Sequence, residues 1–85
     1  MKAAELLDER GATHGDFHCN AIYAQELRRV FRSSPQWPQM RPEHQEALDM
    51  AATKISRILS GQAEYADHWA DLAGYATLAL RACGE

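Results

Sequence analysis

The sequence predicts an all-α protein, with a short N-terminal helix followed by three longer helices packed as an antiparallel bundle. Apolar residues recur at three- and four-residue steps over three long segments, and glycine or proline separates those segments. No stretch alternates apolar and polar residues as a strand would. The 85 residues have room for one domain, over residues 1–85, with a small core. We therefore expect a homo-oligomer, at least a dimer, that covers apolar surface one subunit cannot bury.

The N-terminal half is predicted to contain two helices and two loops. Residues 1–10 fit a short helix, and a loop with two glycines follows it. Asp16 is placed to accept the first free amide hydrogens of the next helix, which is predicted over residues 17–32. Two prolines prevent a helix from continuing over residues 33–39, so this segment is predicted to be a connecting loop anchored by Trp37.

The C-terminal half is predicted to contain two long helices. The first covers residues 43–60, beginning beside Pro42 and ending at Gly61, which we expect to adopt the left-handed conformation that terminates many helices. The second covers residues 67–83 with Asp67 as its N-cap.

Composition and charge exclude several classes of protein. Twelve acidic and nine basic residues give a net charge of -3, which lacks the positive field that non-specific nucleic-acid binding needs. No apolar run is long enough for a membrane span, and the first ten residues carry acids where a signal peptide would be apolar. We therefore expect a cytoplasmic protein without a membrane partner, and two cysteines that stay reduced.

The helix over residues 43–60 has two distinct faces when its residues are plotted at 100° steps. One face is apolar and is expected to meet the core, while the other is polar and is interpreted as a solvated face with weak ion pairs. The apolar face consists of Leu48, Ala51, Ala52, Ile55, Ile58 and Leu59, and the polar face of Glu46, Asp49, Thr53 and Arg57, with Lys54 at its margin.

The last helix is apolar nearly all round, which predicts a central position in the bundle. Its polar exceptions are Asp67, Asp71 and Tyr75, at steps of four residues, and a partly buried carboxylate needs a cation or several hydrogen-bond donors. Two interpretations of Asp71 stay open. It forms a structural salt bridge with Lys54 or Arg57, or it belongs to a metal or phosphate site.

The metal interpretation rests on four carboxylates of the last two helices. Carboxylate oxygens are hard ligands suited to Mg²⁺, and a glycine at position 74 would let a ligand approach closely. The predicted Mg²⁺ ligands are Glu46, Asp49, Asp67 and Asp71.

Three other polar positions carry weaker signals. The glycine-containing loop is predicted to fold over the acidic cluster and to bring His14 to the ligand. Asn20 lies on the apolar side of its helix, where it either caps a loop carbonyl or contacts a ligand. His44 and His68 are interpreted as surface residues in the first turns of their helices.

Three blocks, over residues 10–17, 46–61 and 67–76, together resemble a family of short phage and prophage proteins of uncharacterised function. That family is marked by a D-I-A-G-Y signature and a K-x-x-R step on the preceding helix. Here the signature reads D-L-A-G-Y over residues 71–75, and the step is Lys54 to Arg57. The resemblance covers most of the chain and implies no established activity.

The chain is more loosely similar to the MazG-like all-α nucleoside triphosphate pyrophosphohydrolases, in which acidic residues of two adjacent helices hold Mg²⁺ against a triphosphate. The matching pairs would be Glu46 with Asp49 and Asp67 with Asp71. This resemblance implies Mg²⁺-assisted hydrolysis of a nucleotide, with Glu46 and Asp49 as the catalytic acids that orient water.

The residues expected to bind the nucleotide are His14, Asn20, Lys54, Arg57 and Tyr75. Of these, Lys54 and Arg57 would offset the negative charge that develops on the phosphates. Two alternatives stay open: a protein that binds a nucleotide without turnover, and a phage protein that inhibits a host defence protein through its surface.

Overall fold

The computed structural model describes residues 17–61 and 63–84, and these are helical with no strand. The elements are α1, Phe17–Ser33, a short 3-10 helix, Trp37–Gln39, then α2, Pro42–Ser60, and α3, Ala66–Cys83. The all-α class and the three long helices are therefore confirmed. The predicted helix over residues 1–10, the Asp16 cap and His14 lie outside the described residues.

Two predicted helix ends are wrong in detail. Gly61 follows α2 with φ of -132°, which is not the left-handed conformation expected of it. Tyr65 occupies the N-cap position of α3, and the helix begins at Ala66. Asp67 therefore lies in the first turn instead of capping it, where its charge still favours the positive end of the helix dipole.

The middle helix of the described residues is α2, which packs against both α1 and α3. The prediction that the last helix is central is therefore wrong. Ala52 and Ser56 of α2 are completely buried, and these small side chains let neighbouring helices approach closely. In α3, by contrast, Leu80 is 72% exposed. An apolar composition on all sides did not determine which helix is enclosed.

The buried core of the described residues is small. Its apolar members are Ala24, Ala52 and Ala82, whose side chains each bury little area. Leu48 and Leu59, which were expected to face the core, are exposed. Several other large apolar side chains are exposed as well, namely Phe17, Ile22, Tyr23, Val30, Trp69, Leu78 and Leu80.

Trp37 anchors the loop between α1 and α2, as predicted. Its ring stacks on Phe31 with 5.9 Å between centroids, and the guanidinium of Arg32 lies 4.7 Å from the ring centroid. The Trp37 carbonyl accepts a hydrogen bond of 2.8 Å from the amide of Gln45. The loop is thereby held against the end of α1 and the start of α2.

None of the helices in the described ranges combines the length and the hydropathy needed to cross a membrane.

Trp37→Ala is expected to lower the free energy of unfolding by about 2 kcal/mol, because it removes the stacking and cation contacts of the loop. The measurement is urea denaturation followed by circular dichroism. Phe17→Ala is the control, since that ring is 82% exposed and its removal should change the stability little. Equal destabilisation by the two variants would contradict the anchoring role.

Candidate functional site

The polar groups of α2 point in two directions. Asp49 and Lys54 are separated by about 140° around the helix axis, because each residue turns the helix by about 100°. Asp49 pairs with α1 and Lys54 pairs with α3. The polar side chains of α2 therefore fasten both neighbouring helices.

Two arginines of α1 converge on Asp49. Arg32 donates two hydrogen bonds to its carboxylate, from Nη1 to Oδ1 at 3.0 Å and from Nη2 to Oδ2 at 2.8 Å. Arg28 Nε lies 3.7 Å from Oδ1, and its Nη2 donates to the Asp49 carbonyl at 3.0 Å and to the Thr53 hydroxyl. Bidentate arginine–carboxylate pairs are among the stronger polar contacts in proteins. The stripe interpreted as a solvated face thus meets α1, which corrects that interpretation.

Asn20 belongs to the same interface between α1 and α2. The single hydroxyl hydrogen of Ser56 is shared between two acceptors, the Asn20 side-chain oxygen and the Thr53 carbonyl. Since Ser56 is completely buried, Asn20 satisfies a buried polar group. The structure places Asn20 in a helix contact, separate from the polar groups of α3.

The salt bridge between Lys54 and Asp71 joins α2 to α3 with an N–O distance of 2.8 Å. This confirms the salt-bridge interpretation of Asp71, with Lys54 as the partner. The Lys54 side chain is 14% exposed and that of Asp71 is 48% exposed. The hydrogen bond from Lys54 lowers the pKa of Asp71 below its ordinary value, and the charges of Lys54, His68 and Arg57 lower it further.

Arg57 lies near the same carboxylate without pairing with it. Its charge contributes to the lowered pKa of Asp71, yet it forms no ion pair within residues 17–61 and 63–84. Its Nε is buried and has no hydrogen-bond acceptor. A buried donor without an acceptor costs about 1–3 kcal/mol. Lys54 and Arg57 therefore form a site with two cations, one carboxylate and an unsatisfied donor.

A groove of about 440 Å³ runs along α3 beside this site. Gly74 lines the groove, and a Cβ at that position would meet no atom within 4 Å. The lining residues are Ala70, Asp71, Gly74, Tyr75, Thr77, Leu78 and Arg81. Tyr75 is half-buried, so the groove offers an aromatic surface close to Asp71.

The structure differs from the prediction at both histidines of the first turns. His68 is only 1% exposed, and its ring makes an edge contact with Tyr65 at 4.8 Å between centroids. His44 is half-buried, and its Nε2 lies 3.0 Å from the Ala79 carbonyl, which links α2 to the end of α3. Sequence reasoning missed these contacts because a first-turn histidine carries no signal that distinguishes a buried from an exposed ring.

The four predicted Mg²⁺ ligands do not form a cluster. Asp49 is bound by α1, Asp71 is bound by Lys54, and Asp67 accepts a hydrogen bond of 3.1 Å from the Tyr65 hydroxyl. Glu46 is exposed and has no ion-pair partner in the part of the chain that the structure describes. Within those ranges, no group of three or more His, Cys, Asp or Glu could hold a metal ion. The described residues do not fit a Mg²⁺ site, and Mg²⁺ binding by the whole protein stays a prediction.

Comparison with known proteins identifies the family. The model of the family called Domain of unknown function (DUF6378) matches residues 1–82. The chain therefore belongs to this family, an uncharacterised domain family. No curated protein and no solved structure matches the chain.

Asp71→Asn is expected to remove part of the acid sensitivity of the fold. A carboxyl whose pKa is lowered by folding stabilises the folded state at pH values above its unfolded pKa, here 3.8, and this contribution disappears as the pH falls through the lowered value. Melting temperatures measured from neutral pH down to about pH 3 should fall less steeply for Asp71→Asn than for the wild type. Parallel pH profiles would contradict the stabilising role of the ionised carboxylate.

Asp49→Asn is expected to lower the free energy of unfolding by about 1–2 kcal/mol, because it leaves two arginines of α1 without their carboxylate. Glu46→Gln is the matched control on the same helix, since Glu46 pairs with no cation in the described part, and it should be nearly neutral. The measurement is urea denaturation. A rise in the wild-type melting temperature with millimolar Mg²⁺ that Glu46→Gln abolishes would instead support the metal site.

Proposed function

We propose that the protein binds a nucleotide without hydrolysing it, with the phosphates held by Lys54 and Arg57 at the junction of α2 and α3. The proposal rests on Arg57, whose buried Nε has no hydrogen-bond acceptor among the described residues. A phosphate oxygen would supply that acceptor, and a guanidinium matches phosphate geometry with paired hydrogen bonds.

The neighbouring side chains support the same ligand class. Lys54 adds a second positive charge, and Asp71 balances only one of the two. Tyr75 offers an aromatic face in the groove on which a base can stack. Since a phosphate and a base are the two parts of a nucleotide, this combination favours a nucleotide over a simple anion.

The resemblance to short phage proteins agrees with this position for the site. The K-x-x-R step at Lys54 and Arg57 lies on α2, while the D-L-A-G-Y signature over residues 71–75 lies on α3. The ion pair of Lys54 with Asp71 brings the two motifs together. The proposal includes a phage-type protein that acts in the cytoplasm, which is the host's if the gene is carried by a phage.

Binding without turnover is favoured over hydrolysis because three of the four predicted Mg²⁺ ligands already have partners inside the fold. A MazG-like pyrophosphohydrolase needs several carboxylates directed at one metal ion. Hydrolysis of the nucleotide is therefore the competing outcome, and a measurement of pyrophosphate release distinguishes it from binding alone.

The test is calorimetric titration with each of the four deoxynucleoside triphosphates, with and without Mg²⁺. We expect saturable binding that Arg57→Ala weakens about tenfold or more, since each lost charge-assisted pair is worth about 1.5–3 kcal/mol. Arg29→Ala is the matched control, because Arg29 is exposed on α1 and pairs with Glu26 of its own helix. Equal affinity of the wild type and Arg57→Ala would overturn the proposal.

Two further measurements separate the alternatives. Arg57→Met keeps the apolar stem and removes the unsatisfied donor, so its melting temperature without ligand should not fall, although nucleotide binding does. Mg²⁺-dependent release of pyrophosphate by the wild type would establish the hydrolase instead.

A second candidate function, association with a host protein, is favoured by the exposed apolar side chains of α1, among them Ile22 and Val30. It predicts a stoichiometric complex with a host protein that Ile22→Asp disrupts and Arg57→Ala does not. A complex with a host protein that Arg57→Ala disrupts and Ile22→Asp does not would exclude α1 as the contact surface.

A further inference from the structure

We infer that the protein forms a twofold-symmetric dimer in which α3 packs antiparallel against α3 of a second copy. The contact surface is the α3 seam, defined as Asp71, Gly74, Leu78 and Arg81. This inference does not rest on nucleotide binding, because neither Lys54 nor Arg57 belongs to the seam. The seam and Tyr75 line the same groove, however, so a second copy of α3 and a base stacked on Tyr75 would compete for that space.

The four seam residues form one continuous stripe. Their steps of three, four and three residues are those of the contact positions of a coiled coil. All four line the groove along α3, so the stripe faces open space within one chain. Leu78 is 59% exposed, and Gly74 has no neighbour within 4 Å of a Cβ position.

Charge fixes the register and the partner. Consider a twofold axis that passes α3 at the level of residue 76. A residue of one copy then lies opposite the residue of the other copy that is equally far from residue 76 on the other side of it. Asp71 then lies opposite Arg81 of the second copy, and the reverse pair forms at the other end. Arg81 forms no ion pair within the described residues, so its guanidinium is available. A second copy therefore supplies complementary charge at both ends of the seam.

Shape agrees with the same register. Between the two charge pairs, Leu78 of each copy lies opposite Gly74 of the other. A leucine side chain would fill the open space above the glycine, as a knob fills a hole. Ala70 and Thr77 border the groove with small side chains, so the two helix backbones can approach closely.

The other exposed stripe of α3 lacks these features. It contains Trp69, Ala73, Ala76 and Leu80, about 150° around the helix from the seam. Because none of these residues is charged, the stripe offers no charge complementarity between two copies. Its use as the dimer contact is an outcome that the experiment below detects.

The experiment exchanges charges in the full-length protein and measures mass by sedimentation equilibrium from about 10 µM to about 1 mM, a range suited to a short interface. The wild type should dimerise. Arg81→Glu brings two carboxylates together at both ends of the seam and should be monomeric over this range. Asp71→Lys brings two cations together at both ends and should be monomeric too, although it also loses the pair with Lys54.

Mixing the two monomeric variants should restore a dimer. In the mixed pair Asp71 meets Arg81 at one end, and the introduced lysine meets the introduced glutamate at the other. A third variant, Gly74→Leu, should fold as well as the wild type because no atom lies near that position, but it should not dimerise. Circular dichroism checks the fold of each variant, and Arg29→Glu on α1 is the charge-reversal control that should leave the dimer intact.

Three results would overturn the inference. A wild type that is monomeric throughout the concentration range excludes the dimer. A dimer that survives both Arg81→Glu and Gly74→Leu places the contact elsewhere, for example at the stripe with Trp69. Failure of the mixed variants to associate, when each is folded, excludes the antiparallel register. Loss of nucleotide binding in Arg57→Ala with the dimer intact would show that Arg57 is needed for the nucleotide and not for the dimer.

Discussion

The ion pairs on the two sides of α2 are the interaction on which the rest of the structure depends. Asp49 holds α1 through two arginines, and Lys54 holds α3 through Asp71. Among the described residues the buried apolar side chains are alanines, whose burial supplies little energy. Polar contacts, by contrast, require particular atoms to meet, so they select one rotation of each helix. The ion pairs thus help to select the rotation of α1 and α3 against α2, while the small buried residues allow the helices to approach closely.

This use of charge determines what the site can do. Three of the carboxylates expected to hold Mg²⁺ are engaged by donors inside the fold, which supports the proposal of an anion at the junction of α2 and α3. Arg57 gives the strongest support for an anion site. Its buried guanidinium nitrogen has no acceptor among the described residues, and such a donor is unfavourable in the ligand-free protein. The proposed phosphate site and the lack of a carboxylate cluster in the described residues therefore have one cause.

Because the core is small, α3 packs against α2 on one side and exposes apolar side chains on its other sides. One side of α3 is occupied by α2, and the side with the α3 seam carries a cation with no ion pair in the described ranges, an exposed leucine and an open glycine. Asp71 lies between these two roles, since it binds Lys54 within its own chain and faces Arg81 of the second copy in the inferred dimer. A carboxylate has two oxygens with several acceptor positions, so one aspartate can serve both contacts.

The sequence by itself determined the local structure. Apolar periodicity and the breaks at residues 33–39 and at Gly61 located three helices whose observed ends agree within one residue, because such signals act over a single turn. It also offered the pair of Lys54 with Asp71. Only the tertiary structure decided that α2 lies in the middle, that Asp49 belongs to α1, and that His68 is buried. The physical reason is that periodicity shows which residues share a face of a helix, whereas the neighbour that each face meets depends on contacts distant in the chain.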